Sequence, residues 1–342
     1  MTGAGSDPDR DHGDAPARLE LAALPELGPG ENTQGGASGA AWSYVLPDRE
    51  LGTIVYVGRP TAATLVVLRQ IGRDVIIVPL DQAIDPWPVA EASVGLVVAA
   101  DAGSSPGPTA DQIGAELDRV LAPGGTALIG LGSIGPDRAT PALPRGLSAA
   151  DLLWLGGRDG EIRAAVPYGD PVLIDYVATR WDDDREIHSR LKRIVRRIRR
   201  GPQKGPEAQL GALRLPPGAG GVGSPPRYIR DIAAAAGRPI DDHRWALLDP
   251  GSYGTKKILL FLVGPDDDGP GLVVKLVRDP RFNPRLERAW RGLGALEARG
   301  PELSRLGPRP AFFGHHAGLA LMAEAIVTGD SLKSRLGDAA GD

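Results

Sequence analysis

From Trp42 onward the chain alternates short, β-branched apolar runs with stretches of helical period, a pattern that predicts βαβ units. Ile54-Val55-Tyr56-Val57-Gly58 reads as a buried strand ending in glycine, residues 61–71 as a helix, and residues 74–80 as a second strand ending near Asp81. Residues 94–100 read as a further strand ending at Asp101, residues 112–121 as a helix stopped by Pro123-Gly124-Gly125, and residues 126–130 as the strand that follows. Strands apolar on both faces and spaced by helices imply a parallel, doubly wound α/β sheet. Residues 151–181 are expected to hold a helix and then two strands, at 162–166 and 172–177. Residues 186–200 have helical spacing, with Leu191, Ile194, Val195 and Ile198 on one face and many Arg and Lys on the other, a basic face expected to be solvated.

A second pattern begins near Tyr228. A short helix precedes strands at 245–249, 257–263 and 272–277, residues 286–296 have helical spacing, and residues 311–314 and 319–326 read as two more strands. That order predicts a five-stranded antiparallel sheet with one packed helix. Residues 201–226, rich in Pro and Gly, read as a linker, and residues 1–41, lacking any sustained apolar period, as a disordered tail. The expected organisation is a tail at 1–41, an α/β domain at 42–200, a linker at 201–226 and an α+β lobe at 227–342.

Composition narrows the function classes. A chain of 342 residues can bury two cores, and its 42% hydrophobic and 24% charged residues are ordinary for a globular protein. A net charge of −4 gives no general field for nucleic acid or an anionic membrane. With no cysteine, thiolate metal sites and cysteine nucleophiles are excluded, and a cytoplasmic location is expected. No apolar run reaches the roughly 18 residues a membrane helix requires.

The first candidate site lies at the carboxyl ends of the parallel strands, where ligands of such sheets bind. Gly58, Asp81 and Asp101 fall there. A glycine permits close backbone approach, and an acid after the second strand can accept from both ribose hydroxyls of an adenosyl group. The string 117–129, Leu-Asp-Arg-Val-Leu-Ala-Pro-Gly-Gly-Thr-Ala-Leu-Ile, resembles the helix, Pro-Gly-Gly turn and fifth strand of class I S-adenosylmethionine-dependent methyltransferases. The resemblance covers about residues 45 to 180 and implies a Rossmann-like doubly wound sheet holding S-adenosylmethionine. The family's first loop usually reads acidic-x-Gly-x-Gly-x-Gly; here Tyr56 replaces the acid, and Pro60 and Ala62 replace the later glycines. Pro60 removes an amide donor, and Arg59 brings a long side chain to the place of the cofactor.

The second candidate site is a phosphate cradle. Asp249-Pro250-Gly251-Ser252-Tyr253-Gly254 is a turn between strands, Lys275 stands on an otherwise apolar strand, and Glu287 on the next helix is the expected partner of its ammonium. This set resembles the nucleotide-binding N-lobe of aminoglycoside phosphotransferases and related kinase-like proteins. The resemblance implies that Lys275 contacts phosphates and pairs with Glu287, that Gly251 and Gly254 cover them, and that residues 321–329, with Glu324 and Ile326, form the strand and hinge beside the adenine. The acids that orient the acceptor and hold magnesium belong to a C-lobe in that family, and only thirteen residues follow Gly329. ATP with Mg is therefore expected to be used only with a complementing C-lobe; the expected partners are a protein that supplies that lobe or, alternatively, a second copy through self-association. His12-Gly13-Asp14 matches that family's catalytic string but stands in the tail without a preceding strand.

The expected function is a methyltransferase-like transferase, active or decayed, carrying a truncated nucleotide-binding lobe that cannot phosphorylate alone. The alternatives are the N-terminal half of a split small-molecule phosphotransferase, with an unknown small-molecule or glycan acceptor, and a non-catalytic interaction protein. No catalytic residue, metal site or nucleic-acid partner is expected.

Overall fold

Thr61 starts the first helix by accepting a hydrogen bond from the Thr64 amide at 3.1 Å, and Gly72 ends it by passing directly into a strand. A Cβ at 72 would lie 2.4 Å from Ile54 Cδ1, so any larger residue there would have to displace the buried Ile54 side chain. The computed structural model describes residues 41–79, 86–99, 110–133, 152–156, 162–167, 170, 172–173, 176–177, 208–215, 223–249, 257–304 and 307–327, all within one compact unit. Mixed α/β content is evident, with four parallel strands continued by antiparallel ones.

The parallel part comprises β1 (Leu51–Val57), α1 (Ala62–Ile71), β2 (Gly72–Val78), β3 (Val94–Ala99), α2 (Ala110–Val120) and β4 (Leu121–Ser133). β1 lies between β2 and β3, and β4 pairs with β3 on its far side, all parallel. Alternation along β1 sends Ile54 and Tyr56 to one face, where Val67, Leu68 and Ile71 of α1 pack on them. Val55 and Val57 face the other side, toward Ile113, Leu117 and Val120 of α2. The two helices therefore cover opposite faces, as the apolar periods predicted. Pro123-Gly124-Gly125 lies within β4, where the register with β3 jumps from Val94↔Leu121 to Leu96↔Thr126 and Gly124 takes a positive φ of 86°.

The antiparallel part continues from β4 through β7 (Ala208–Arg214), β5 (Leu152–Gly156), β6 (Ile162–Pro167), β8 (Arg244–Leu248), β9 (Ile258–Val263), β10 (Leu272–Leu276) and β12 (Leu319–Ala325) to β11 (Pro310–His316). α3 (Arg227–Ala235) packs Tyr228, Ile229 and Ala233 on the face holding Trp245, Leu260, Val274 and Leu321. α4 (Asn283–Ala298) packs Leu286 on the opposite face, against Val277, Ala320 and Met322. The five strands and packed helix expected after residue 227 are present in the expected order.

Three expectations need correction. Residues 152–156 form a strand where a helix was expected, and residues 172–173 and 176–177 are helical where a strand was expected. Asp170 is the local cause of the second change, since its carboxylate accepts from the Val172 and Leu173 amides, both at 3.1 Å, and starts a helical turn. The segment expected as a linker contains β7, which inserts between β4 and β5. With β6 pairing to β8, hydrogen bonding runs unbroken from the parallel strands into the antiparallel ones. The basic segment 186–200 and the tail 1–40 lie outside the described residues.

The start of the described chain is also part of the core. Trp42, Tyr44, Val45 and Leu46 are buried in the layer shared by α1 and α3. Tyr228 donates its hydroxyl to the Tyr44 carbonyl at 2.9 Å, and Tyr44 donates to the Val277 carbonyl at 3.3 Å. This short segment thus links α3 to the chain just after β10. No described helix is long and apolar enough to cross a membrane.

Candidate functional site

Two rims of the sheet carry the predicted residues. At the first, β1 delivers Val57 and then Gly58, whose φ of 113° suits only glycine. Because α1 covers one face and α2 the other, the winding reverses between β1 and β3. Gly58 therefore sits at the reversal, the favoured ligand position in such sheets. Register aligns Val57 with Val78 and Tyr56 with Val98, so the three strand ends run along one rim. Asp81 and Asp101, which follow those ends, lie outside the described residues.

The donors at this rim are partly committed. The Gly58 amide donates to the Val78 carbonyl at 2.8 Å, closing β1 onto β2. Thr61 uses its hydroxyl to cap α1 and lies 2.9 Å from the Thr64 hydroxyl, while Pro60 has no amide hydrogen. At the far end of α2, Glu116 accepts from Arg119 and from the Trp87 amide, and Arg119 donates to the carbonyls of Trp87 and Val89. Burial opposes ionisation of Glu116, but these hydrogen bonds outweigh it and hold its carboxyl below the usual range. The network fastens residues 86–90 and is structural.

The second rim is where β8 and β10 end and β9 begins. Lys275 stands opposite Leu259 of β9 and Met322 of β12, on the sheet face that α4 covers. Its Nζ donates to Glu324 Oε1, from the diagonal position on β12. The pair is partly sheltered, with side-chain exposures of 25% for Lys275 and 9% for Glu324. The expected partner, Glu287, is elsewhere: its carboxylate lies 3.4 Å from His315 Nε2, toward β11. The reason is helical geometry. Leu286 is fully buried on the sheet, and the next residue is turned by about 100° around the axis.

Gly251 and Gly254 lie outside the described residues, but both flanks of the segment 250–256 are defined. Asp249, just after β8, forms an ion pair with Arg278, just after β10, and both side chains are almost wholly buried. Sequence reading missed this pair, although an acid and a base each directly follow an apolar strand. Lys257, directly before β9, is half-buried and on the same face as Lys275, two positions along from Leu259. Burial holds its pKa below the usual lysine range, the nearby Lys275 and Arg285 charges add to this, and Glu324 opposes it.

Ile326, placed in the expected hinge, packs beside Phe261 and Val273. Its amide donates to the Gly271 carbonyl at 2.9 Å, so a ligand could take that donor only by opening the sheet. Among the described residues no cluster of His, Asp and Glu could hold a metal ion. The rim can thus position an anion by charge, with Lys275 fixed by Glu324. No protein-family model matches the chain, and no curated protein matches it.

Proposed function

We propose that the antiparallel part binds a nucleoside triphosphate, as the nucleotide-binding lobe of a kinase-like phosphotransferase. The observation that carries this reading is the Lys275–Glu324 pair, a strand lysine held by a largely buried carboxylate beside the strand ends that flank the glycine turn. Such an ammonium is fixed in direction and still partly open to a ligand, which is what positioning a phosphate needs. Glu324 takes the part that the family resemblance assigns to Glu287. Phosphoryl transfer to a small-molecule or glycan acceptor would further need magnesium and acidic groups that hold it and orient the acceptor. Titration calorimetry of the full chain with MgATP tests the binding step: saturable heat is expected, weakened in Lys275→Met. Absence of heat with ATP, ADP and GTP alike would remove the reading.

A second reading concerns the parallel part, as a methyltransferase-like transferase, active or decayed. Gly58, with its positive φ at the reversal between β1 and β3, favours it. The committed Gly58 amide and Pro60 argue for poor cofactor affinity. Calorimetry with S-adenosylmethionine separates the two forms of this reading, since a working cofactor site gives a saturable heat of binding and a decayed one gives none. If neither ligand binds, the chain is better described as a non-catalytic interaction protein.

A further inference from the structure

Lys275 is already neutralised by Glu324, so it offers direction more than net charge. Lys257 differs. Its side chain is half-buried, and its ammonium forms no hydrogen bond or ion pair with any described residue. Resting on the nucleotide reading above, we infer that Lys257 is a second phosphate-binding cation, and that Lys257 and Lys275 together select a chain of two or more phosphates over a single one.

The argument begins with register. β9 and β10 pair Leu259 with Lys275 and Ile258 with Leu276, so residue 257 precedes Leu259 by two and shares its face. Side chains in that diagonal relation lie about 7–8 Å apart at the backbone, within reach of two long lysines converging on one ligand. Arg285, in the first turn of α4, adds positive charge at the same place. The first turn of α4 contains no acid, so the positive end of its dipole is uncompensated from within the helix.

Among the described residues, the charges around this point do not balance by themselves. Asp249 and Arg278 cancel each other in their buried pair, and Glu324 answers Lys275. Lys257 and Arg285 remain in excess among the described residues. Holding a half-buried lysine charged without a partner is costly. The lysine's depressed pKa reports that cost, and a polyphosphate would remove it by supplying the missing charge.

The test uses the full chain, with calorimetry against MgATP, inorganic tripolyphosphate and AMP. Lys257→Met is expected to weaken ATP and tripolyphosphate about tenfold, the loss of one charge-assisted contact. AMP should change little, and Lys257→Arg should retain most of the affinity. Because the ammonium has no described partner to lose, Lys257→Met should melt no lower than the parent. A second measurement needs no variant: tripolyphosphate should slow acetylation of Lys257, read by mass spectrometry, relative to surface lysines. ATP bound equally well by parent and Lys257→Met, or Lys257 acetylated at the same rate with and without tripolyphosphate, overturns the inference and leaves the nucleotide reading standing. Failure of the parent to bind either ATP or tripolyphosphate overturns both.

Discussion

Glu324, on the strand beside Lys275, holds the lysine ammonium, while Glu287 on α4 turns away to His315. The difference matters because a strand neighbour is fixed by sheet register, whereas a helix partner depends on how the helix sits. Here the lysine's direction follows from the pairing of β10 with β12, and not from the position of Glu287 on α4.

Substitution at the two acids should therefore have unequal effects. Glu324→Gln leaves a sheltered ammonium without its counter-charge and should cost about 2 kcal/mol of stability. Glu287→Gln, at a half-exposed site, should change stability by less than about 0.5 kcal/mol. Urea unfolding of the two variants provides the comparison, and a larger loss in Glu287→Gln would contradict the assignment.

The buried Asp249–Arg278 pair joins the end of β8 to the end of β10 across the start of β9. Removing Arg278 takes its ion-pair partner from the buried Asp249 carboxylate, so Arg278→Met should destabilise by about 3–5 kcal/mol. Replacing both, as Asp249→Leu with Arg278→Met, should recover part of that loss, since the desolvation of both ions is removed. Equal melting temperatures for the single variant and the parent would show that the pair holds nothing.

His316 links pH to stability. It stacks on Tyr228 at 4.3 Å, accepts from the Arg49 amide at 3.2 Å and lies 3.3 Å from Asp48. Burial lowers its pKa below 6.5 and outweighs the attraction of Asp48, while Arg49 adds to the lowering and Glu50 and Asp231 oppose it. The folded state then binds the proton less well than the unfolded chain. Its contribution is fully present above the unfolded pKa of about 6.5 and is lost as pH falls through and below that value. Melting curves from pH 8 to pH 5 should show a decline that is shallower in His316→Gln. Identical slopes would remove His316 as the cause.

Gly58 and Gly52 test backbone conformation on one strand. Gly58→Ala forces a side chain into a positive φ and should cost about 1–3 kcal/mol. Gly52→Ala, with open space around the added carbon, should be close to neutral. Thermal melts of both variants measure this, and a neutral Gly58→Ala would show that the turn can be rebuilt by other residues.

Period and residue type were enough to reveal much of this fold. Alternation in Ile54-Val55-Tyr56-Val57, the helical spacing over α1 and α2, and the strand, turn, strand, strand, helix, strand, strand order after residue 227 are local properties, and the structure follows them. The candidate lysine was equally visible, since a charge within Leu272-Val273-Val274-Lys275-Leu276 must reach a partner or solvent. Its partner was not. Glu287 and Glu324 are both acids at plausible sequence distances, and only the register of β10 with β12, together with the direction Leu286 imposes on α4, separates them.

Strand β7 was hidden for a related reason. Pro and Gly on either side of residues 208–214 spoke for a linker, and the segment becomes a strand because β4 and β5 each offer it a hydrogen-bonding edge. Local sequence thus determined which segments are apolar on which side and where a charge required an answer. Pairing between distant segments decided which strand lies beside which, which acid meets Lys275, and that Lys257 shares its face, because those relations depend on backbone edges meeting in space.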